Sequence, residues 1–280
     1  MTIPEGPDIS FVSADVSTAL KEDLGDGDRT ASLIGKSTLL NTRVICRQHA
    51  VLAGQAWFDQ TFHQLNGDII VNWNLADGES MHPDQEVCSL SGPAAAILSG
   101  ERTALNFIQT LSATATLAKQ YVKAVSGTSV TILDTRKTLP GLRMAQKYAV
   151  LCGGASNHRI GLFDAILIKE NHIAAVGSIT AAINRARSNY PDLLLEVEVE
   201  NLEQLKEASE ASADRALLDN FSVSTLRTAV EQFSGRIQLE ASGGVSLNSV
   251  REIAETGVDF ISTGDITKNI QAVDFSMRYI

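Results

Sequence analysis

The stretch LLLEVEVEN, residues 193–201, decides the fold. Val197 and Val199 alternate with Glu196, Glu198 and Glu200. A period of two belongs to a β-strand, so the valines share one face and the glutamates the other. In a (β/α) barrel the outer face of a strand meets apolar helices, so the valines are expected outside. The glutamates then point inward, which is costly unless they pair or bind a cation.

Similar short apolar runs flank this one: TILD (131–134), AILI (165–168), RALLD (215–219), RIQLEAS (236–242) and VDFIST (258–263). Each is followed by a helix-like segment. Strands that alternate with helices build βαβ units and a parallel sheet. Six units predict a barrel or an open barrel, with a seventh strand expected near a long helical pattern at Ser99–Ser126.

The chain before about residue 95 reads differently. VSADVSTALKEDLG (12–25) predicts a helix closed by Gly25. NTRVICRQ (41–48), DIIVNW (68–73) and VCSLSG (87–92) predict strands, and GQAWFDQTFHQLNG (54–67) an amphipathic helix.

The 280 residues carry 23 Lys and Arg against 33 Asp and Glu, a formal charge of −10, with 44% hydrophobic residues. That length and composition support a full core in one large or two smaller domains. The acidic balance argues against nucleic acid or an anionic membrane as partner. No apolar run reaches the roughly 20 residues of a membrane span. MTIPEGPDISF lacks the basic and apolar regions of a signal peptide. Cys46, Cys88 and Cys152 have no CxxC spacing and read as reduced thiols of a cytoplasmic protein.

Against this acidic background TILDTRKTLPGLR gathers Arg136, Lys137 and Arg143 within eight residues, just past a strand. Asp134, Lys169, Glu198, Asp219, Glu240, Ser242 and Gly264 also fall at or just past strand ends. In (β/α) barrels that rim holds the active site. With His158 and Arg159, these cations suit a substrate of several negative charges, since guanidinium grips carboxylate or phosphate in two places. The alternative is a solvated surface of ion pairs. Glu198 and Asp219 could hold Mg²⁺ through oxygens, or neutralise Lys169 or Arg136. Gly243 and Gly244 in EASGGVS, and Gly264 in ISTGDIT, suit phosphate, although glycine also serves plain turns. Lys169 could form a Schiff base, but nearby acids favour a charged, anion-binding lysine. Phe107, Leu111 and Tyr121 read as core or interface positions.

Together DTRKTLPGLR, NHRIGLFDAILIKENHI, EVEVENLEQL, LLDNF, EASGGV and GVDFISTGDIT resemble the quinolinate phosphoribosyltransferases. EDLGDGDRTAS, VLAG and GERTALNFIQTLS extend the resemblance over nearly the whole chain, in the family's order. It implies an N-terminal α/β sandwich domain over residues 1–112 and an incomplete (open) α/β barrel over 113–269, of the type II phosphoribosyltransferase kind. Residues 270–280 would pack on the first domain.

The resemblance further implies a cytoplasmic homodimer that moves the phosphoribosyl group of phosphoribosyl pyrophosphate onto quinolinate with decarboxylation, in NAD synthesis. It implies Mg²⁺ and no organic cofactor. Arg136, His158, Arg159 and Lys169 would receive quinolinate's carboxylates, and Arg102 would reach in from the other subunit. Lys137 and Arg143 would face substrate or pyrophosphate. Glu198 and Asp219 would serve the metal-bound pyrophosphate, and Ser242, Gly243, Gly244 and Gly264 the 5′-phosphate. Lys137, Lys169, Glu198 and Asp219 are the expected catalytic groups.

Ala95, Ala113, Ala155 and Asp265 depart from the family's usual residues, and an acid at 265 sits oddly beside a phosphate loop. Rival readings are a molybdenum-transport-associated relative of the same family, a Schiff-base lyase using Lys169, and a sugar-phosphate-binding protein without turnover.

Overall fold

Local chemistry marks the first helix at both ends. Asp8 accepts the Ser10 N–H at 2.8 Å as its N-cap, and Gly25 closes it at φ 55°. The computed structural model describes residues 6–280. Residues 1–5, which begin the expected first domain and the MTIPEGPDISF segment, lie outside the described residues.

In chain order the elements begin with α1 (Ile9–Leu24), β1 (Leu39–Cys46), β2 (Ala50–Val51), α2 (Gln55–Leu65), β3 (Ile70–Trp73), β4 (Ser80–Met81), β5 (Gln85–Pro93) and α3 (Ala94–Ala124). Next come β6 (Thr131–Leu133), α4 (Arg143–Cys152), β7 (Ile166–Ile168), α5 (Glu170–Val176), α6 (Ile179–Asn189) and β8 (Leu195–Val199). The chain ends through α7 (Leu202–Glu210), β9 (Arg215–Asp219), α8 (Val223–Phe233), β10 (Gln238–Ser242), α9 (Val250–Ala254), β11 (Phe260–Ser262), α10 (Asp265–Lys268) and β12 (Phe275–Tyr279).

These elements form two units. One contains the described residues up to 119 together with 139–154 and 269–280; the other contains 120–138 and 155–268. The expected boundary fell at residue 112, inside α3.

The first unit holds an antiparallel sheet in the order β12-β1-β5-β3. The C-terminal strand β12 pairs with β1, Val44 opposite Met277. Val44, Phe58, Leu90, Leu105 and Ile108 form an apolar core there. A second cluster joins Val12 and Val16 of α1 to Trp57, Leu111 and Ala149. Burying a side chain such as Phe58 contributes roughly 2–3 kcal/mol.

The second unit holds six parallel strands in the order β6-β11-β10-β9-β8-β7. Three of its helices start on side-chain caps: Ser178 for α6, Asn201 for α7 and Ser222 for α8. Helix α8 buries Leu226, Ala229 and Phe233 at helical spacing. The end strands β6 and β7 do not pair with each other, so the barrel is open. The seventh strand expected near the long helix is absent among the described residues. That stretch is helical throughout α3, and only an isolated bridge from Leu133 to Ser156 extends the sheet beyond β6. Among the described residues no helix is long and apolar enough to cross a membrane.

Candidate active site

The alternation of β8 has the expected consequence for Val197, Val199 and Glu196, but Glu200, also expected inward, lies past the strand end and is exposed. Val197 and Val199 are fully buried, and α6 and α7 lie against the strand. Glu196 is 1% exposed, while Glu198, one step nearer the strand end, is half-buried. Register carries the pattern across the sheet: Glu198 lies beside Leu217 of β9, and Asp219 beside Ser242 of β10. Glu198, Asp219 and Ser242 therefore occupy the ends of three adjacent strands.

Lys169 follows β7 and makes a close ion pair with Glu198. The Asp219 carboxylate accepts the Asn220 side-chain amide at 2.8 Å. Asn220, at φ 56°, donates its backbone N–H to the Ser242 carbonyl at 2.9 Å. Ser242 Oγ accepts the Ser262 hydroxyl at 3.1 Å. Gly243 sits at φ 92°, and a Cβ there would lie 2.2 Å from Asn220 Oδ1. Only glycine suits that position, which leaves the loop backbone bare. Gly264 is needed for a different reason. A Cβ there would lie 2.8 Å from Lys137 Cδ, so the two loops are in direct contact. Thr267 tightens the contact by donating to the Lys137 carbonyl at 2.8 Å.

Asp265 does not burden this loop. Its carboxylate accepts the Tyr121 hydroxyl at 2.7 Å. Burial, and then this hydrogen bond, push the Tyr121 pKa up, so the phenol remains a donor. Of the three positions read as core or interface, all are buried, Leu111 and Tyr121 completely so.

Arg136 and Arg159 are half-buried. Burial lowers the Arg159 pKa first, and repulsion from Arg136 lowers it further. Glu196 and Asp164 pull the other way, and two half-buried guanidinium groups suit an anionic ligand. Arg159 Nη1 donates to the Ala165 carbonyl at 3.3 Å, and Asp164 accepts the N–H groups of Ile160 and Gly161 at 2.7 and 2.9 Å.

His158 is placed deeper than a rim residue. Its backbone N–H donates to Asp134 Oδ1 at 2.8 Å, and its Nε2 lies 2.7 Å from Glu196 Oε2. Glu240, expected at a strand end, is instead completely buried inside β10. Burial pushes its carboxyl up to about 7, with repulsion from Glu196 second. Glu196 is raised by burial too, against the pull of Arg215. Arg215 donates to Glu240 Oε2 at 3.2 Å. Arg215 escaped the sequence reading because it begins β9, at the end away from the rim. Only the length of its side chain brings it to Glu240.

The second unit therefore brings together Arg136, Lys137, His158, Arg159, Lys169, Glu198, Asp219, Ser242, Gly243, Gly244 and Gly264. Arg102 and Arg143 belong to the first unit, Arg102 exposed in α3 and Arg143 at the first position of α4.

Strand-end acids beside paired guanidiniums and bare glycine loops, on an open parallel barrel, define an enzyme class that handles phosphorylated, multiply anionic substrates. The comparisons narrow that class. Residues 28–112 match the N-terminal domain of quinolinate phosphoribosyl transferase, and residues 114–278 its C-terminal domain. The chain belongs to the quinolinate phosphoribosyltransferase family. It is 41% identical to a probable carboxylating nicotinate-nucleotide pyrophosphorylase of Bacillus subtilis over 257 residues, 91% of this chain and 89% of that protein. The nicotinate-nucleotide pyrophosphorylase structure from Francisella tularensis superposes with a TM-score of 0.94 at 43% identity, covering 100% of this chain and 99% of that one. NadC from Streptococcus pyogenes gives 0.95 at 33% identity, covering 99% and 100%.

Proposed function

We infer that the protein is a phosphoribosyltransferase that joins the phosphoribosyl group of phosphoribosyl pyrophosphate to the nitrogen of quinolinate. Nicotinate mononucleotide, pyrophosphate and carbon dioxide result, as a step of NAD synthesis. The observation that carries this reading is the mutually repelling pair Arg136 and Arg159, half-buried in the domain that matches the family. Glu196 and Asp164 offset part of the positive charge at Arg159, and the two carboxylates of quinolinate suit what remains.

In this reading Arg136, His158, Arg159 and Lys169 receive the carboxylates and aim the ring nitrogen at the ribose carbon. Lys137 and Arg143 face substrate or pyrophosphate. Ser242, Gly243, Gly244 and Gly264 take the 5′-phosphate through hydroxyl and bare backbone. Lys169 begins in its ion pair with Glu198. A substrate carboxylate that draws Lys169 away releases Glu198 to face the positive charge that grows on the ribose as pyrophosphate departs. Such an anion stabilises the transition state more than the ground state. The pyridinium formed on bond making accepts the electron pair left as carbon dioxide leaves. A Schiff base at Lys169 is disfavoured, because an ammonium paired with a carboxylate has no free electron pair.

Carboxylate oxygens on two neighbouring strand ends, Glu198 and Asp219, are the hard donors that Mg²⁺ takes. Bound there with the substrate phosphates, Mg²⁺ would supply charge neutralisation for the leaving pyrophosphate. The reading includes a cytoplasmic homodimer in which Arg102 serves the second copy's site. Its support is the exposure of Arg102 and, for the compartment, three buried unpaired cysteines.

The test is an ultraviolet assay with phosphoribosyl pyrophosphate, Mg²⁺ and either quinolinate or nicotinate. Product from quinolinate alone is expected. Equal turnover of nicotinate, or none of either by folded protein, overturns the assignment.

A further inference from the structure

Two fully buried carboxylates lie beneath the proposed quinolinate pocket and have no part in the chemistry above. Glu196 is on β8 and Glu240 on β10, with β9 between them. Glu196 Oε2 and Glu240 Oε2 lie 2.7 Å and 3.5 Å from His158 Nε2. The remaining oxygen of each, Oε1, is buried with no hydrogen-bond partner. Arg215 donates to Glu240 and lays its guanidinium 3.9 Å from the centre of the Phe260 ring.

Removing two carboxylates from water costs several kcal/mol each, and apolar side chains of the same volume are often as stable or more so. Stability therefore does not account for this cluster. The ligand-type atoms of His158, Glu196 and Glu240 also lie within 4.8 Å of one another, as in a metal site. Arg215 already supplies positive charge at Glu240, which disfavours a cation there. The common target of both carboxylates is the His158 ring, whose residue is gripped a second time by Asp134 at its backbone. Arg159 is the next residue in the chain.

We propose that Glu196 and Glu240 are positioning residues: Glu196 accepts a hydrogen bond from His158 Nε2 and Glu240 adds its charge 3.5 Å from the same nitrogen, fixing the ring plane and the His158–Arg159 segment that receives the quinolinate carboxylates. The proposal rests on the reading of His158 and Arg159 as quinolinate-binding groups. Arg215 holds Glu240 in place for the same task.

Two measurements test it. In the substrate-free wild-type protein, the ¹⁵N ring resonances of His158, assigned by comparison with His158→Gln, should show a protonated, hydrogen-bonded Nε2. A ring protonated on Nδ1 alone overturns the proposal without any assay. In kinetics, Glu196→Gln should raise the quinolinate KM about 10-fold, the scale of losing a charge-assisted hydrogen bond. The phosphoribosyl pyrophosphate KM should stay within about twofold, and in a His158→Ala background Glu196→Gln should add little. An unchanged quinolinate KM, an equal rise in both constants, or a full effect without His158 overturns it. If Glu196→Gln fails to fold, Glu240→Gln and the wild-type spectrum decide. Failure of the wild type to use quinolinate would remove the functional reading while leaving the ring spectrum to be judged by itself.

Discussion

The two sheets enclose opposite chemistries. The antiparallel sheet of the first unit packs Val44, Phe58, Leu90 and Ile108 into an apolar core. The parallel sheet of the second encloses Glu196, Glu240, His158 and Arg215. One interior serves stability by excluding water. The other places charge where water cannot screen it and where an uncompensated group is expensive. Mutations in the two should therefore fail differently: the first in folding, the second in binding and pH response.

The largest contrast comes from Phe58→Ala. Phe58 is fully buried, with its ring 5.0 Å from Phe62 and 5.1 Å from Trp73. The loss should be about 3–5 kcal/mol in urea unfolding, with the quinolinate KM of the folded fraction unchanged. A comparable rise in KM would break the division between the interiors.

Arg159→Ala should do the reverse. It removes one guanidinium of the repelling pair, and kcat/KM for quinolinate should fall about 100-fold, roughly 2.7 kcal/mol. Near-normal steady-state kinetics would sink its role.

Gly243→Ala sharpens the comparison inside the second unit. The added Cβ meets Asn220 Oδ1 at 2.2 Å on a residue at φ 92°. A loss of about 1–3 kcal/mol is expected, with a rise in the phosphoribosyl pyrophosphate KM and little change for quinolinate. A selective quinolinate defect would mean that the loop serves the other substrate.

The smallest effect is in pH dependence. Glu240 is raised by burial to about 7, above its unfolded value, so between those values the folded state binds more protons. Stability from this group is therefore greatest below the unfolded pKa and declines as pH rises towards 7, by at most about 1 kcal/mol per pH unit. Glu240→Gln should flatten that slope in urea titrations between pH 5 and 7, a window taken from the raised value. An unchanged slope would show that Glu240 shares the wild-type charge balance without titrating there. Phe58→Ala should leave the slope alone.

Much of this architecture was legible in order. The six parallel strands correspond to six apolar runs, because each strand was short and apolar, and β7, β8 and β9 lead into the side-chain-capped helices α6, α7 and α8. The two-residue strands β2 and β4 were not legible, since two residues show no alternation. The C-terminal strand β12 owes its conformation to pairing with β1, more than two hundred residues earlier.

At the candidate site, period and spacing alone placed Glu196 inside, put Glu198 and Asp219 on strand ends, and marked the glycine loops. Those features depend on neighbours a few residues apart. Which charge meets which depends on register and on reach across strands, so only the tertiary structure decided it. It joined Lys169 to Glu198, Arg215 to Glu240, and Tyr121 to Asp265 across 144 positions of sequence. It also assigned Arg143 and Arg136, close in one basic stretch, to different units. Sequence periodicity is local, whereas the desolvation and pairing of a buried charge are set by whatever the fold brings beside it.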